Sequence, residues 1–421
     1  MPALTDSSRS SLRSSPAASE ELRAAAVRQS PPIAEFDGII CFGGEDWWYH
    51  NRGHFDMQMM RELSAHVPVL YINSIGMRVP RVGEGRMFWK RVSRKLRSLR
   101  RGLVRVRPNF AVFSPLAAPG AVGRFITGVA LPGQVRRAAR RMGIRRPLVW
   151  VACPPGAAYV DRLGAIGVVY QRTDRYEAFT GVNAQEILGF DQQMKRQGAL
   201  TVFCSRSLMI EESEQCARAL FIDHGVDFDR FVSAGRGEVP EPEDLCDIPR
   251  PRIGFIGGID AHTFDPALFV EVARRMPEAQ FVLVGACSLP EGWCPLPNVH
   301  QLGQRPYEAV AAYMAACDVL IMPWNSSPWI RACNPVKMKE YLAVGRPVVS
   351  TPFDELSHYQ GFIEAAQGVD AFVAAVRAAL AHPGDDLARR RRVERETWTA
   401  KGESALAALA QAGLRPVGGP R

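Results

Sequence analysis

The chain has 421 residues, 47% of them hydrophobic, and a formal net charge of +9. It is too long for one hydrophobic core and too apolar for a disordered chain, so two globular domains are expected. No apolar run reaches the roughly 20 residues of a membrane-crossing helix, no secretory leader core is visible, and the nine cysteines form no Cys-x-x-Cys pair; together these read as a cytoplasmic protein with reduced thiols and no zinc or redox centre. The basic balance leaves nucleic acid, an anionic membrane or a phosphorylated substrate as partners, and the placement of the charge has to choose among them.

In chain order, residues 1–34 are rich in Ser, Arg, Ala and Pro without a period and are expected to be a disordered tail. The run FDGIICF at 36–42 predicts a strand, residues 55–66 a helix and VPVLYI at 67–72 a second strand, which makes a βαβ unit of a parallel sheet. In such sheets ligands gather beyond the carboxyl ends of the strands. The loop after the first strand therefore carries candidates: Asp46 as a base, Trp47 and Trp48 as an aromatic platform for an acceptor or as plain packing, and His54. Residues 86–107, RMFWKRVSRKLRSLRRGLVRVR, hold many cations and no acid, with apolar residues three to four apart. They predict a basic amphipathic helix in a membrane interface, with Trp89 at headgroup depth and Arg91 and Lys95 facing lipid phosphates. A helix on the protein's own surface, or one on RNA, has the same composition. The apolar piece near 125–131 is long enough to dip into lipid and too short to cross it.

Strands are expected at 148–152, 167–171 and 200–204, and the one at 167–171 runs into Arg172-Thr173-Asp174-Arg175. Asp174 stands just past a strand's carboxyl end, so it is the first candidate for a general base. From 229 to 250 the composition turns to Gly, Pro and acids, which reads as an interdomain linker. The βαβ rhythm then restarts with a strand at 252–256, followed by Gly257, Gly258 and Asp260. The glycine pair allows close approach of a ligand, but it is neither a G-x-G-x-x-G fingerprint nor a P-loop. Further strands are expected at 280–284 before Gly285, at 299–302 before Gln304, and at 318–322, with helices at 368–382 and 387–412.

The stretch NPVKMKEYLAVGRPVVST, 334–351, organises the second half. Pro335 suits the first turn of a helix, Gly345 its end, and Pro347 onward a strand. Arg331 lies before the helix start, and Lys337 and Glu340 are three apart on one face. Cations at a helix N-terminus suit a diphosphate, and a carboxylate one turn further suits a sugar hydroxyl.

Four passages, FGGEDWWYHNRGHFDMQMMREL, VVYQRTDRYEAF, IGFIGGIDAHTFDPALF and DVLIMPW with the 334–351 stretch, resemble the GT-B glycosyltransferases, and most closely bacterial members of the teichuronic-acid type that build cell-surface polysaccharides. The resemblance covers roughly residues 36–412. It implies an α/β protein of two doubly wound Rossmann-like domains facing across a cleft: 35–228 on the acceptor side, a linker at 229–250, 251–385 for the nucleotide sugar, and 386–421 crossing back to the first domain through Trp398. It further implies that Gly257, Gly258 and Asp260 face the donor phosphates and that Arg331 and Lys337 offset their charge. Asn334 would stand in the same set, Glu340 would take the ribose, and the base would lie near Gly285 and Gln304. Ala332 stands where the family's first Glu would contact the transferred sugar. The implied activity is transfer of a sugar from a nucleotide-sugar donor to a hydroxyl of a lipid-linked or other saccharide, without a metal or other cofactor, at the inner face of the plasma membrane. Two other readings fit the same residues: a catalytically impaired GT-B scaffold subunit and a sugar-nucleotide epimerase. Nucleic acid is not an expected partner.

Overall fold

The computed structural model describes residues 33–48, 53–73, 75, 97, 98, 100–116, 120–179 and 181–418. Trp89, Arg91, Lys95 and most of the basic 86–107 stretch lie outside the described residues, as does the tail up to residue 32.

The first half is an eight-stranded sheet. Its strands are β2 (Gly38–Phe42), β3 (Val69–Ile72), β4 (Leu103–Arg107), β5 (Phe110–Phe113), β6 (Pro147–Val151), β7 (Gly167–Arg172), β8 (Leu200–Phe203) and β9 (Ala219–Phe221), in the order β4-β5-β3-β2-β6-β7-β8-β9. Every neighbouring pair is parallel except β4 with β5. A parallel sheet covered on both faces needs apolar residues on both faces, which is why these strands read as nearly continuous apolar runs. Ile39 and Cys41 of β2 join one core, Ile40 and Phe42 the other. Full burial of such side chains contributes roughly 1.5–3 kcal/mol each.

The second half is a six-stranded, all-parallel sheet. It contains β10 (Arg252–Ile256), β11 (Gln280–Val284), β12 (Val299–Gly303), β13 (Val319–Met322), β14 (Val348–Ser350) and β15 (Glu364–Ala365), in the order β12-β11-β10-β13-β14-β15. A short strand β1 (Ala34–Phe36) pairs in parallel with β16 (Leu414–Pro416), so the two ends of the described chain meet.

Strand order reverses between β2 and β6 in the first sheet and between β10 and β13 in the second. Ligands of doubly wound sheets sit at such switch points, beyond the strands' carboxyl ends. Four helices carry the residues that matter there: α1 (Phe55–Leu63), α2 (Phe228–Gly235), α3 (Val336–Val344) and α4 (Trp398–Gln411). Helix α4 packs back onto α1: Thr399 Oγ1 donates to Glu62 Oε2 at 3.0 Å, and Trp398 meets Phe55 edge-on at 5.7 Å.

Some expectations are corrected. Leu103–Arg107 is an edge strand rather than the end of a basic helix. Its alternation of Leu, Val and Val with Arg pairs antiparallel with Phe110–Phe113, and Arg105 and Arg107 face solvent. Of the apolar piece near 125–131, on a helix running Gly120–Arg141, Leu131 is buried in the first half's core with Val135 and Ala138, while Val129 is exposed. The 229–250 stretch opens with helix α2, whose Phe231, Val232 and Ala234 are buried. The 387–412 helix is two helices, Asp386–Val393 and α4. The second starts where the Thr397 side chain caps the N–H of Ala400.

Candidate functional site

Strand β10 delivers Gly257 and Gly258 to the switch point of the second sheet. A methyl group on Gly257 would overlap Lys337 Nζ, and one on Gly285 would overlap the Gly257 carbonyl. The two glycines therefore let neighbouring strand ends close up while the lysine passes over them. Lys337, in the first turn of α3, lies with Nζ 4.6 Å from the Phe255 ring centroid and 4.5 Å from that of Trp324. Burial lowers its pKa to about 8, against the pull of Glu340, Cys333 and Asp260. No side chain caps the start of α3 and no acid occupies its first turn, which leaves its positive end to a ligand. Gly345 closes the helix at φ 89°, a left-handed conformation natural to glycine. Glu340 is buried, and its Oε1 accepts from Tyr307 Oη at 3.0 Å. Burial raises its pKa to about 7, with the Tyr307 hydrogen bond and Lys337 opposing.

Asp260 Oδ1 accepts from the N–H groups of His262 and Thr263 at 2.9 and 3.0 Å, so one oxygen shapes the loop. Asn334 Nδ2 donates to the Cys204 carbonyl at 2.9 Å, a tie to the first half, while its Oδ1 is buried without a partner. Arg331 is exposed on the short helix Pro328–Ala332 and does not line the cavity described below, and Gln304 is exposed beyond the edge strand β12.

On the first half, Asp174 follows β7. Burial pushes its pKa up to about 6, partly offset by Arg172 and His54. Arg172 itself is engaged elsewhere: it binds Glu177 and Glu212 at 3.0 Å and Asp191 at 3.3 Å. Among the described residues nothing hydrogen-bonds the Asp174 carboxylate, which is therefore available to a substrate. Asp56 holds the loop after β2, accepting from Gly44 N at 2.8 Å and Tyr71 Oη at 2.7 Å.

Two further candidates are structural. Asp46 accepts from Trp48 N and Ser98 Oγ, at 3.0 and 3.2 Å, and stands outside the cavity lining. Trp47 is buried against Tyr71 and Phe110, with centroids 5.4 and 4.9 Å away. The gap left between those two rings takes its indole, and the residue also lines a second cleft between the halves. Trp48 lies beneath Arg101.

Between the halves is a cavity of about 450 Å³. His54, Asp56, Asp174 and His224 line it from the first half; Gly258, Asp260, Trp324, Trp329, Asn334 and Lys337 line it from the second. Four buried polar atoms on this lining have no partner among the described residues: His224 Nδ1, Trp324 Nε1, Trp329 Nε1 and Asn334 Oδ1. Buried polar groups are nearly always satisfied, so four orphans around one cavity mark a place for a polar ligand. Burial takes His224 down to about 3, which leaves a neutral imidazole. Among the described residues no cluster of three or more His, Cys, Asp or Glu is set to hold a metal. A larger cleft of about 700 Å³, lined by Arg250, Asp318 and Arg346, lies at the amino ends of β10, β13 and β14, away from both switch points.

Sequence reasoning missed His224, Trp324, Trp329 and Tyr307, and it missed the role of Lys339. That lysine reaches Asp223 at 2.7 Å and Glu396 at 3.0 Å. Trp324 alone carried a signal, ending the strand before the 334–351 stretch. Ala332 is buried against Phe203 and Leu208 of the first half, so the position of the family's first Glu serves a contact between halves.

Residues 250–382 match the family model described as Glycosyl transferases group 1. A Bacillus subtilis (strain 168) protein, TuaH, whose name assigns it to teichuronic acid biosynthesis as a glycosyltransferase, is 31% identical over 181 residues, 41% of this chain and 45% of that protein. The chain thus spans under half the length of that relative. Among solved structures, sucrose-phosphate synthase from Thermosynechococcus elongatus superposes with a TM-score of 0.64 at 15% identity, covering 89% of this chain and 98% of that one. Anabaena Alr3699/HepE, solved with UDP and glucose, gives 0.62 at 12% identity over 89% and 100%. An Escherichia coli protein solved with UDP-2-fluoro glucose gives 0.62 at 10% identity over 89% and 99%. At these identities the likeness is one of fold, and the fold is GT-B.

Proposed function

We propose, from the premise that residues 250–382 form a group 1 glycosyltransferase domain within a GT-B chain, that the protein transfers a sugar from a nucleotide-sugar donor to a hydroxyl of a saccharide acceptor. One observation carries this reading. Lys337, the uncapped start of α3 and Glu340 stand on one helix, and an unpaired carboxylate, Asp174, lines the same cavity from the other half. The bond from the sugar's anomeric carbon to the diphosphate oxygen breaks, and a bond to the acceptor oxygen forms. Lys337 and the helix start stabilise the negative charge left on the diphosphate. Glu340 exchanges its Tyr307 hydrogen bond for the ribose hydroxyls. Asp174 takes the acceptor's proton, and its pKa of about 6 leaves it ionised near neutrality and close to the operating pH. No step uses a metal or other cofactor.

The acceptor is a lipid-linked saccharide of cell-surface polysaccharide synthesis, held near the inner face of the plasma membrane. The name of the relative TuaH and the exposed cations Arg101, Arg105 and Arg107 support this assignment. Among the described residues no helix is long and apolar enough to cross a membrane.

A thermal-shift panel of UDP-, GDP-, dTDP- and CMP-sugars tests the donor site. A donor at a hundredfold excess over its Kd adds about 2.7 kcal/mol, so one nucleotide class should raise the melting temperature of the wild type. Lys337→Ala and Glu340→Ala should lose that rise. No rise with any donor, or an unchanged rise in both variants, contradicts the assignment.

A further inference from the structure

We infer that a second cleft beside the donor cavity binds an oxyanion carried by the acceptor, a phosphate or a carboxylate. The inference rests on the glycosyltransferase reading and adds a chemical class to the acceptor. The cleft, of about 350 Å³, lies between the halves. Trp48, Arg61 and Arg107 line it from the first half, and Arg230, Tyr307 and Glu308 from the second. Arg61 and Arg230 stand there with Arg107, which is already engaged, and with the Gln58 amide; the one carboxylate of the lining, Glu308, is exposed at the rim. Arg61 and Arg107 line no part of the donor cavity, and Arg230 acts on Glu340 through its charge, lying 5.3 Å from the Tyr307 ring centroid.

The lining is short of acceptors for its donors. Arg230 bonds Asp227 through Nη2 at 2.8 Å, yet its Nη1 is buried without a partner. Trp48 Nε1 is buried and equally unpartnered. Arg61 forms no ion pair among the described residues. A neutral sugar hydroxyl both donates and accepts, whereas an oxyanion only accepts, and planar guanidinium forks bind it in pairs. An oxyanion is thus the group this lining lacks.

The position suits an acceptor. Tyr307 forms one wall of the cleft with its ring, and its hydroxyl reaches Glu340 of the donor site. A methyl group on Gly53 would sit 3.3 Å from that ring, and the next residue, His54, lines the donor cavity. A ligand anchored by Arg61 and Arg230 can therefore extend toward Asp174.

The test is calorimetric titration of the full chain, with its donor cavity first saturated by the nucleoside diphosphate that stabilises it most. Geranyl diphosphate probes for a lipid diphosphate, glucuronic acid for a sugar carboxylate, and glucose is the neutral control. At least one anionic probe should bind with the nucleotide present while glucose does not. Arg61→Gln and Arg230→Gln should each weaken that binding at least tenfold with unchanged melting curves. Whichever probe binds identifies the source of the oxyanion. The inference is overturned if neither probe binds, if the arginine variants bind as the wild type does, or if the nucleotide abolishes binding. A failed donor reading shows separately, as nucleotide binding that ignores Lys337→Ala.

Discussion

At the scale of single residues, the proposed donor site depends on one ammonium group held where it is only half comfortable. Lys337 is half-buried over two aromatic faces, which attract its charge while desolvation opposes it, and its pKa falls to about 8. The protonated form is the one that binds a diphosphate. The contribution of Lys337 to donor affinity should therefore be lost as pH rises through about 8. Gly257→Ala puts a methyl group where Nζ now lies. The far end of a flexible side chain moves away at little cost, so the fold should survive and the ammonium should leave its place. We expect donor affinity to drop about tenfold, or 1.4 kcal/mol, with a melting temperature near wild type, read by titration at pH 7 and pH 9. Equal affinity in the variant, or no decline at pH 9 in the wild type, would remove Lys337 from the site.

At the scale of elements, α3 presents different residues to different surroundings. Lys337 faces the cavity and Glu340 faces Tyr307, while Lys339 turns the other way, into a buried ion cluster with Asp223 and Glu396, which Lys401 completes. Burial alone would raise Asp223, but Lys339 and Lys401 overcome it and hold the carboxyl at about 2. Its folded pKa is thus below its unfolded value. The stabilisation is present above about pH 4 and is lost as pH falls toward 2. Lys339→Met should destabilise the protein by about 3 kcal/mol, because it leaves a buried carboxylate short of a partner. Thermal denaturation at pH 7 checks this, and a melting temperature equal to wild type would make Lys339 an ordinary surface lysine. The start and end of this helix were legible, since proline and glycine fix them locally. Lys339 was not: its partner Asp223 is 116 residues away, and a lone sequence does not say which face of a helix meets another domain. The same limit left Trp47 open between a platform and plain packing; its indole is buried where Tyr71 and Phe110 leave room for it. For Leu103–Arg107, helical spacing inherited from the preceding residues hid a two-residue alternation, and the partner strand decided the outcome.

At the scale of the whole molecule, two doubly wound sheets bring their switch points to one cavity, and several contacts fix their relation. Asn334 reaches the Cys204 carbonyl, Arg206 pairs with Glu355, Ala332 packs on Phe203 and Leu208, and α4 returns to the first half. The place of Asp174 at the cavity was legible from its position past a strand end, and Lys337 lines the same cavity from the other half. The most direct test of the account is release of nucleoside diphosphate from the donor that stabilises the protein, comparing wild type with Asp174→Asn across pH 5 to 8. Burial raises Asp174 from 3.8 to about 6, so its ionisation costs the fold stability as pH rises through that window. The neutral amide should leave the variant at least as stable as wild type at pH 7. The account predicts a wild-type rate that rises through about pH 6, and a variant at least a hundredfold slower, within the usual roughly 10²–10⁴ range for general-base catalysis, in which that rise is gone. A well-folded Asp174→Asn protein that turns over at the wild-type rate with the same pH profile would contradict it.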